Sequence, residues 1–173
     1  MALHIIIDGY NLIKNSPSLS ALDRQDLQLG REALIDRLAG YKKVKPHKIT
    51  VVFDGAGSID ADSSRDRVKG IHVVFSRRGQ SADAVIKNMA AREREKALVV
   101  SSDREVTLAA ASFQAATLPV SEFEARLALA TSMETTGETG DDGGGWIPTT
   151  RKKGPSRRLS KRKRRNRMKV RKL

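Results

Sequence analysis

Apolar residues in this chain fall into short blocks separated by longer amphipathic stretches, the pattern of buried strands alternating with helices. Residues 3–7 form a β-branched block stopped by Asp8-Gly9, and 49–53 form a second, stopped by Asp54-Gly55. Residues 71–75, 97–101 and 115–118 supply three more. Runs this short and this apolar suit strands buried on both faces. Between them, apolar positions over 19–41 (Leu22, Leu27, Leu29, Ala33, Leu34, Leu38, Tyr41) take helical spacing from Leu27 onward, and Pro46 ends the run. Ser81 is placed to cap a helix over 82–95 with Val85, Ile86, Met89 and Ala90 inward. An Ala-rich helix is expected over 103–112, and a last one over 121–131, capped by Ser121 with Glu124 at the capping-box position. Residues 56–69 are polar and charged and read as a mobile excursion or hairpin arm. The fold class that follows is α/β: a doubly wound, mostly parallel sheet of about five strands, Rossmann-like.

Charge then divides the chain. From Trp146 onward there are 14 Lys/Arg and no Asp/Glu, while the other 19 basic residues face all 20 acidic ones, a net of −1. The formal +13 therefore belongs to the C-terminal segment. Three parts are expected: a globular domain over 1–133, a flexible Gly/acidic linker over 134–145, and a basic tail over 146–173. The tail has too few apolar groups for a core and is expected to be disordered alone, becoming helical on a polyanion. Zero cysteines exclude disulfides and thiolate metal sites and agree with a cytoplasmic location. The N-terminal apolar run is too short for a signal peptide, and nothing approaches the roughly 18–20 apolar residues of a membrane span.

Four acidic positions give the domain its chemistry. Asp8 and Asp54 directly follow apolar blocks, Asp83 opens a helix in Ser81-Ala82-Asp83, and Asp103 follows the block ending at Ser101-Ser102. In a parallel sheet the strand C-termini share one edge, where ligands bind. Carboxylates gathered there repel one another unless a cation lies between them. Oxygen ligands without cysteine suit Mg²⁺ or Mn²⁺. A single Asp-Gly after a strand is as well explained as a turn, and Asp54-Gly55 alone is evenly balanced between turn and site. His4, His47 and His72 lie near strand starts, away from the acidic edge, and read as packing or surface residues. No Gly-x-x-x-x-Gly-Lys-Ser/Thr loop is present.

Taken in order over residues 3–131, Asp8-Gly9-Tyr10-Asn11, Val-Phe-Asp-Gly at 52–55, Ser-Ala-Asp at 81–83 and Ser-Ser-Asp at 101–103 resemble the NYN domain, and more narrowly its YacP-like branch within the PIN/FEN-like nuclease superfamily. The resemblance implies a PIN-like fold and a metal-dependent endoribonuclease, with Asp8, Asp83 and Asp103 on the family's metal-binding positions. Asp54 and Asn11 are further matched motif residues, Asp54 a candidate metal ligand and Asn11 a candidate catalytic group that orients Asp8 or touches phosphate. Ser102, with Ser101 beside it, is a candidate to bond a metal water. Related domains often carry another acid where this chain has Lys87, so a fourth strong carboxylate ligand is not expected there. The competing reading is a non-catalytic RNA-binding or ribosome-associated factor with a degenerate nuclease site.

Phosphodiester chemistry gives the tail a partner. Arg151, Lys152, Lys153, Arg157, Arg158 and the run Lys161, Arg162, Lys163, Arg164, Arg165 are candidate backbone contacts, which release counterions and bind in a salt-sensitive, sequence-blind way. Arg77 and Arg78, after the third block, are placed to meet RNA entering the acidic cleft; Arg65, Arg67 and Lys69 are either a second rim or a solvated charged loop. RNA is favoured over an anionic membrane. The resemblance to ribosome-associated YacP-like enzymes points to mRNA or rRNA, and to the ribosome, as partners.

Overall fold

The computed structural model describes residues 3–55, 65–136 and 160–173. The strands are β1 (His4–Asp8), β2 (Lys48–Phe53), β3 (Arg65–Val68), β4 (Ile71–Phe75), β5 (Ala97–Val100) and β6 (Ala116–Leu118). The helices are α1 (Gly9–Asn15), α2 (Pro17–Gln25), α3 (Leu27–Val44), α4 (Ala82–Glu93), α5 (Arg104–Ser112), α6 (Val120–Thr136) and α7 (Lys161–Val170). Among the described residues the strands make one sheet in the order β3-β4-β2-β1-β5-β6. Every pairing is parallel except β3 on β4. The expected α/β doubly wound sheet is thus present, with a sixth strand contributed by the end of the polar excursion.

Strand alternation builds two cores. Ile5, Ile7, Val51, Phe53, Leu98 and Val100 pack on one face with Leu34, Leu38 and Phe123 from α3 and α6. Ile6, Val52, Val74 and Val99 pack on the other with Ile86 of α4 and Val106 of α5. Each such fully buried aliphatic side chain contributes about 1.5–3 kcal/mol by leaving water. No helix among the described residues is long and apolar enough to cross a membrane.

Three local expectations are corrected. Only α3 was anticipated in the first crossover, yet α1 and α2 precede it: Asp8 caps α1, Pro17 starts α2, and Asp26 caps α3 by accepting from the Gln28 N–H at 2.7 Å. An aspartate cap starts α1 and α3, and a proline in the first turn starts α2. Helix α6 begins at Val120, with Phe123 N–H bonding the Pro119 carbonyl, so Ser121 lies inside the first turn and not at the cap.

The third correction concerns the tail, whose last part is ordered. Helix α7 starts at a Ser160 cap and lies along β6. Asn166 accepts the Thr117 N–H (2.8 Å) and donates to the Thr117 carbonyl (3.1 Å), pairing an edge strand's open backbone as a neighbouring strand would. Tyr41 donates to the Leu173 carbonyl at 3.0 Å, and Leu173 is buried in the larger core. Val170 packs on the same core, Arg165 pairs with Glu95 and Lys169 donates to the Gln114 carbonyl at 3.4 Å, so a largely charged helix is held at several points. The expected linker from residue 137 on, together with Arg151, Lys152, Lys153, Arg157 and Arg158, lies outside the described residues.

Candidate active site

Asp8 ends β1 and caps α1, so its carboxylate is placed by both elements. One oxygen accepts the Asn11 N–H at 3.2 Å, and the other accepts the Ser101 hydroxyl at 3.5 Å. The register explains the second contact. Ile7 pairs with Val100, so the next residues along both strands, Asp8 and Ser101, stand side by side. Ser101 Oγ also accepts the Asp103 N–H at 3.1 Å, tying the first aspartate to the last. Asp103 caps α5 through the N–H groups of Glu105 (2.7 Å) and Val106 (3.1 Å). Asn11 Oδ1 accepts the Ser102 N–H at 3.1 Å and locks the β1 and β5 ends together.

Gly9 permits this arrangement. A Cβ there would lie 2.4 Å from the Phe53 ring and 2.9 Å from Val51, so only glycine lets α1 turn off β1 this close to β2. At the second motif, a Cβ on Gly55 would meet the Ser76 carbonyl oxygen at 2.1 Å, a backbone atom that does not yield. The close approach lets Ser76 Oγ accept the Gly55 N–H (3.0 Å) and donate to Asp54 (3.3 Å). Asp54 therefore stands at the margin of the acidic edge, close enough for its charge to raise the Asp83 pKa.

The carboxylates sense one another. Burial raises the Asp8 pKa above its ordinary value of 3.8, and the charges of Asp83 and Asp103 push it further, against hydrogen bonds from Asn11 and Ser101. Asp83, in the first turn of α4, is also raised, by partial burial and then by Asp103, with Glu105 and Asp54 adding and Lys87 opposing. Asp8 is only 8% exposed. A buried acid with no cationic partner among the described residues, facing two more acids, is electrostatically unfavourable alone, and a divalent cation removes that repulsion.

The donor set fits a hard cation by chemistry: carboxylate oxygens with hydroxyls behind them. Among the described residues, however, no three acidic or imidazole groups close on a single point as a ready-made cage.

Of the expected site residues, the sheet edge gathers Asp8, Asn11, Asp83, Asp103 and, at its margin, Asp54. Ser102 is reassigned. Its hydroxyl accepts the Val120 N–H at 3.3 Å and supports α6, while Ser101 is the serine that touches Asp8. Ser76 and Glu105 had no sequence signal. Glu105 pairs with Lys87, bringing an ammonium to the acidic edge one turn of α4 beyond Asp83. Arg77 and Arg78 are exposed in the loop after β4. Lys161, Arg162, Lys163 and Arg164 are exposed on α7, whereas Arg165 pairs with Glu95. Ser81 caps α4, accepting the Ala84 N–H at 3.2 Å. His4 and His72 lie in the first half of β1 and β4 as expected.

A family model for the YacP-like NYN domain matches residues 5–172. The chain belongs to the YacP-like NYN domain family. The match runs past residue 131 to include α7, so the docked basic helix is part of what the family pattern describes. An uncharacterised protein, YacP of Bacillus subtilis (strain 168), is 28% identical over 86 residues. That match spans half of this chain and about half the length of the relative. A crystal structure of Rae1 (YacP) from Bacillus subtilis superposes with a TM-score of 0.65 at 21% identity, covering 78% of each chain. A point mutant of the same protein gives 0.63 at 22% identity, covering 75% of this chain and 76% of that one. At those identities the structures establish a shared fold. Family membership carries a nuclease-type, RNA-related function, in a family that is generally divalent-metal dependent.

Proposed function

We propose that this YacP-like NYN protein is a divalent-metal-dependent endoribonuclease acting on mRNA or ribosome-associated RNA at the acidic sheet edge. The observation that carries the reading is Asp8: a buried carboxylate, joined to Asp103 through Ser101 and pressed by Asp83, with no cationic partner among the described residues. Asp8, Asp83 and Asp103 would hold Mg²⁺ or Mn²⁺, with Asp54 at the margin. Bound there, a divalent ion supplies an acidified water and counter-charge for the phosphate under attack.

The protein's own groups supply position. Ser101 and the Asn11 N–H orient the two Asp8 oxygens, and the Asn11 side chain holds the β1 and β5 ends in register. The α4 N-terminus, capped by Ser81, adds positive potential where a phosphate would rest. Arg77, Arg78 and the exposed basic residues of α7, with the basic clusters preceding it, would grip the RNA backbone and make affinity salt-dependent.

The test is cleavage of labelled RNA in Mn²⁺ or Mg²⁺ by the purified chain and by Asp8→Asn and Asp83→Asn, alongside ion titration by calorimetry. Loss of cleavage by about 100-fold or more, with ion binding lost in Asp8→Asn, supports the reading. Undiminished cleavage by both variants sinks it. RNA binding without ion binding or cleavage, even with ribosomes present, favours the degenerate-site alternative. The pairing of Lys87 with Glu105 and the open carboxylate set are the observations on that side.

A further inference from the structure

Helix α4 has two solvent-facing sides, and the acidic edge uses only one of them. Asp83 and Lys87 face α5, where Lys87 meets Glu105, while Ala82, Ile86 and Ala90 are buried. The remaining side, Val85, Asn88, Met89 and Arg92, lies at the i, i+3, i+4, i+7 spacing of one helical stripe. It forms one wall of a cleft of about 320 Å³ shared with β3, β4 and the loop after β4.

The lining is selective. Three guanidiniums surround the cleft: Arg65 from β3, Arg77 from the loop and Arg92 from the last turn of α4. No carboxylate lines it among the described residues, and none of the three is in an ion pair there. Val85 and Met89, half-buried against the smaller core, make an apolar floor. Gln80 and Asn88 add two amides, each able to donate and accept.

Surface arginines ordinarily find acidic neighbours or point apart into water. Three lining one concavity with no carboxylate among the described residues that line it give that wall a positive field, suited to phosphate. The floor and amides ask for more than phosphate: an apolar face to cover and a polar edge to read. A nucleotide of single-stranded RNA offers all three, with the base on the floor, its edge toward the amides and its phosphate among the guanidiniums. The volume is at the lower end of the ~300–1,000 Å³ typical of small-ligand sites. A duplex keeps its bases stacked inside and cannot present one to such a floor.

We infer that the cleft between α4 and β3–β4 is a nucleotide-binding subsite for single-stranded RNA, flanking the acidic edge across the N-terminus of α4. The identity of its ligand rests on the ribonuclease reading. Arg92 and Asn88 are the residues that this adds to the substrate path, and Arg65 changes from loop charge to wall. The strand would cross the first turn of α4 between the carboxylates and the arginines, so cleavage would fall at a fixed offset from the nucleotide held in the cleft.

The test uses the full chain in EDTA, with a short labelled single-stranded oligoribonucleotide followed by fluorescence anisotropy. Arg65→Ala/Arg92→Ala should weaken binding about three- to ten-fold and flatten the log–log salt dependence by about 0.7 per lost contact. Arg92→Lys should keep most of the slope. Asn88→Ala should change the ranking among homopolymers, which a bare charge patch would not do. Because other basic segments also bind RNA, titration with 5′-UMP followed by ¹⁵N NMR isolates the cleft. Shifts at Asn88, Met89 and Arg92 are expected, and inorganic phosphate alone should move Arg92 without Met89. Unchanged affinity and slope in the double variant, or 5′-UMP leaving all three residues unmoved, overturns the subsite. A chain that shows these effects but never cleaves keeps the subsite and loses the nuclease reading. One that cleaves in an Asp8-dependent way without them does the reverse.

Discussion

The two ends of the same sheet bury polar groups in opposite ways. At the strand N-termini, His4 is buried beside an opposite charge: its Nε2 bonds Thr50 Oγ1 at 2.8 Å, and its Nδ1, not hydrogen-bonded, lies 3.3 Å from the Glu93 carboxylate. Burial and the nearby Lys48 push its pKa down, so the ring stays neutral and structural. At the strand C-termini, Asp8 is equally buried but faces Asp83 and Asp103, with its pKa pushed up. A buried polar group with an opposite charge beside it serves the fold, whereas one left among like charges is set up for a ligand. The contrast separates structure from chemistry within one sheet.

The largest expected effect breaks the comparison at its centre. Asp8→Asn should lower metal-dependent RNA cleavage by about 100-fold or more, while His4→Gln should keep the cleavage rate within a few-fold. Equal losses in both variants, measured at a temperature where circular dichroism shows both folded, would mean that the two ends do not differ in role.

Next is the backbone that carries Asp8. Gly9→Ala forces a methyl into Phe53 and Val51 and should cost about 1–3 kcal/mol, or roughly 2–4 °C in melting temperature per kcal/mol. An unchanged melting temperature would show that α1 can move off the sheet.

A third variant probes how the tail is held. Asn166→Ala uncovers the Thr117 N–H and carbonyl and should cost about 1–2 kcal/mol by denaturant titration. Hydrogen exchange at Thr117 should rise in parallel, and an unchanged rate there would argue against α7 as an edge cover.

The smallest effect is in pH. In metal-free protein, the raised pKa values of Asp8 and Asp83 mean that the folded state holds protons more tightly than the unfolded one, so stability falls as pH rises above about 4. His4 has the opposite sign. Its lowered pKa makes the unfolded state the better proton binder, so stability falls as pH drops through about 6.5. Melting curves across that range should show Asp8→Asn reducing the first slope, of which Asp83 keeps a part, and His4→Gln reducing the second, which His72 shares. Divalent ion should flatten the first slope only, since it binds the deprotonated carboxylates.

The amino-acid order alone determined the strand blocks, the α/β class, the four motif aspartates and the charge asymmetry, because short β-branched runs and Asp-Gly stops are local signals. It also placed Ser81 as a cap, since capping depends on neighbours three residues away. Helices α1 and α2 escaped because, at 7 and 9 residues, each is too short for apolar spacing to stand out along the chain. Only the tertiary structure chose Ser101 over Ser102, since that choice depends on the β1–β5 register, in which one residue of slip exchanges the faces. Only it showed Lys87 on Glu105, Asn166 covering the β6 edge, and Arg65, Arg77 and Arg92 around one cleft. Those contacts join residues 12 to 49 positions apart, and no periodicity carries information over such distances. Local chemistry selected the elements, and their packing selected which side chains meet.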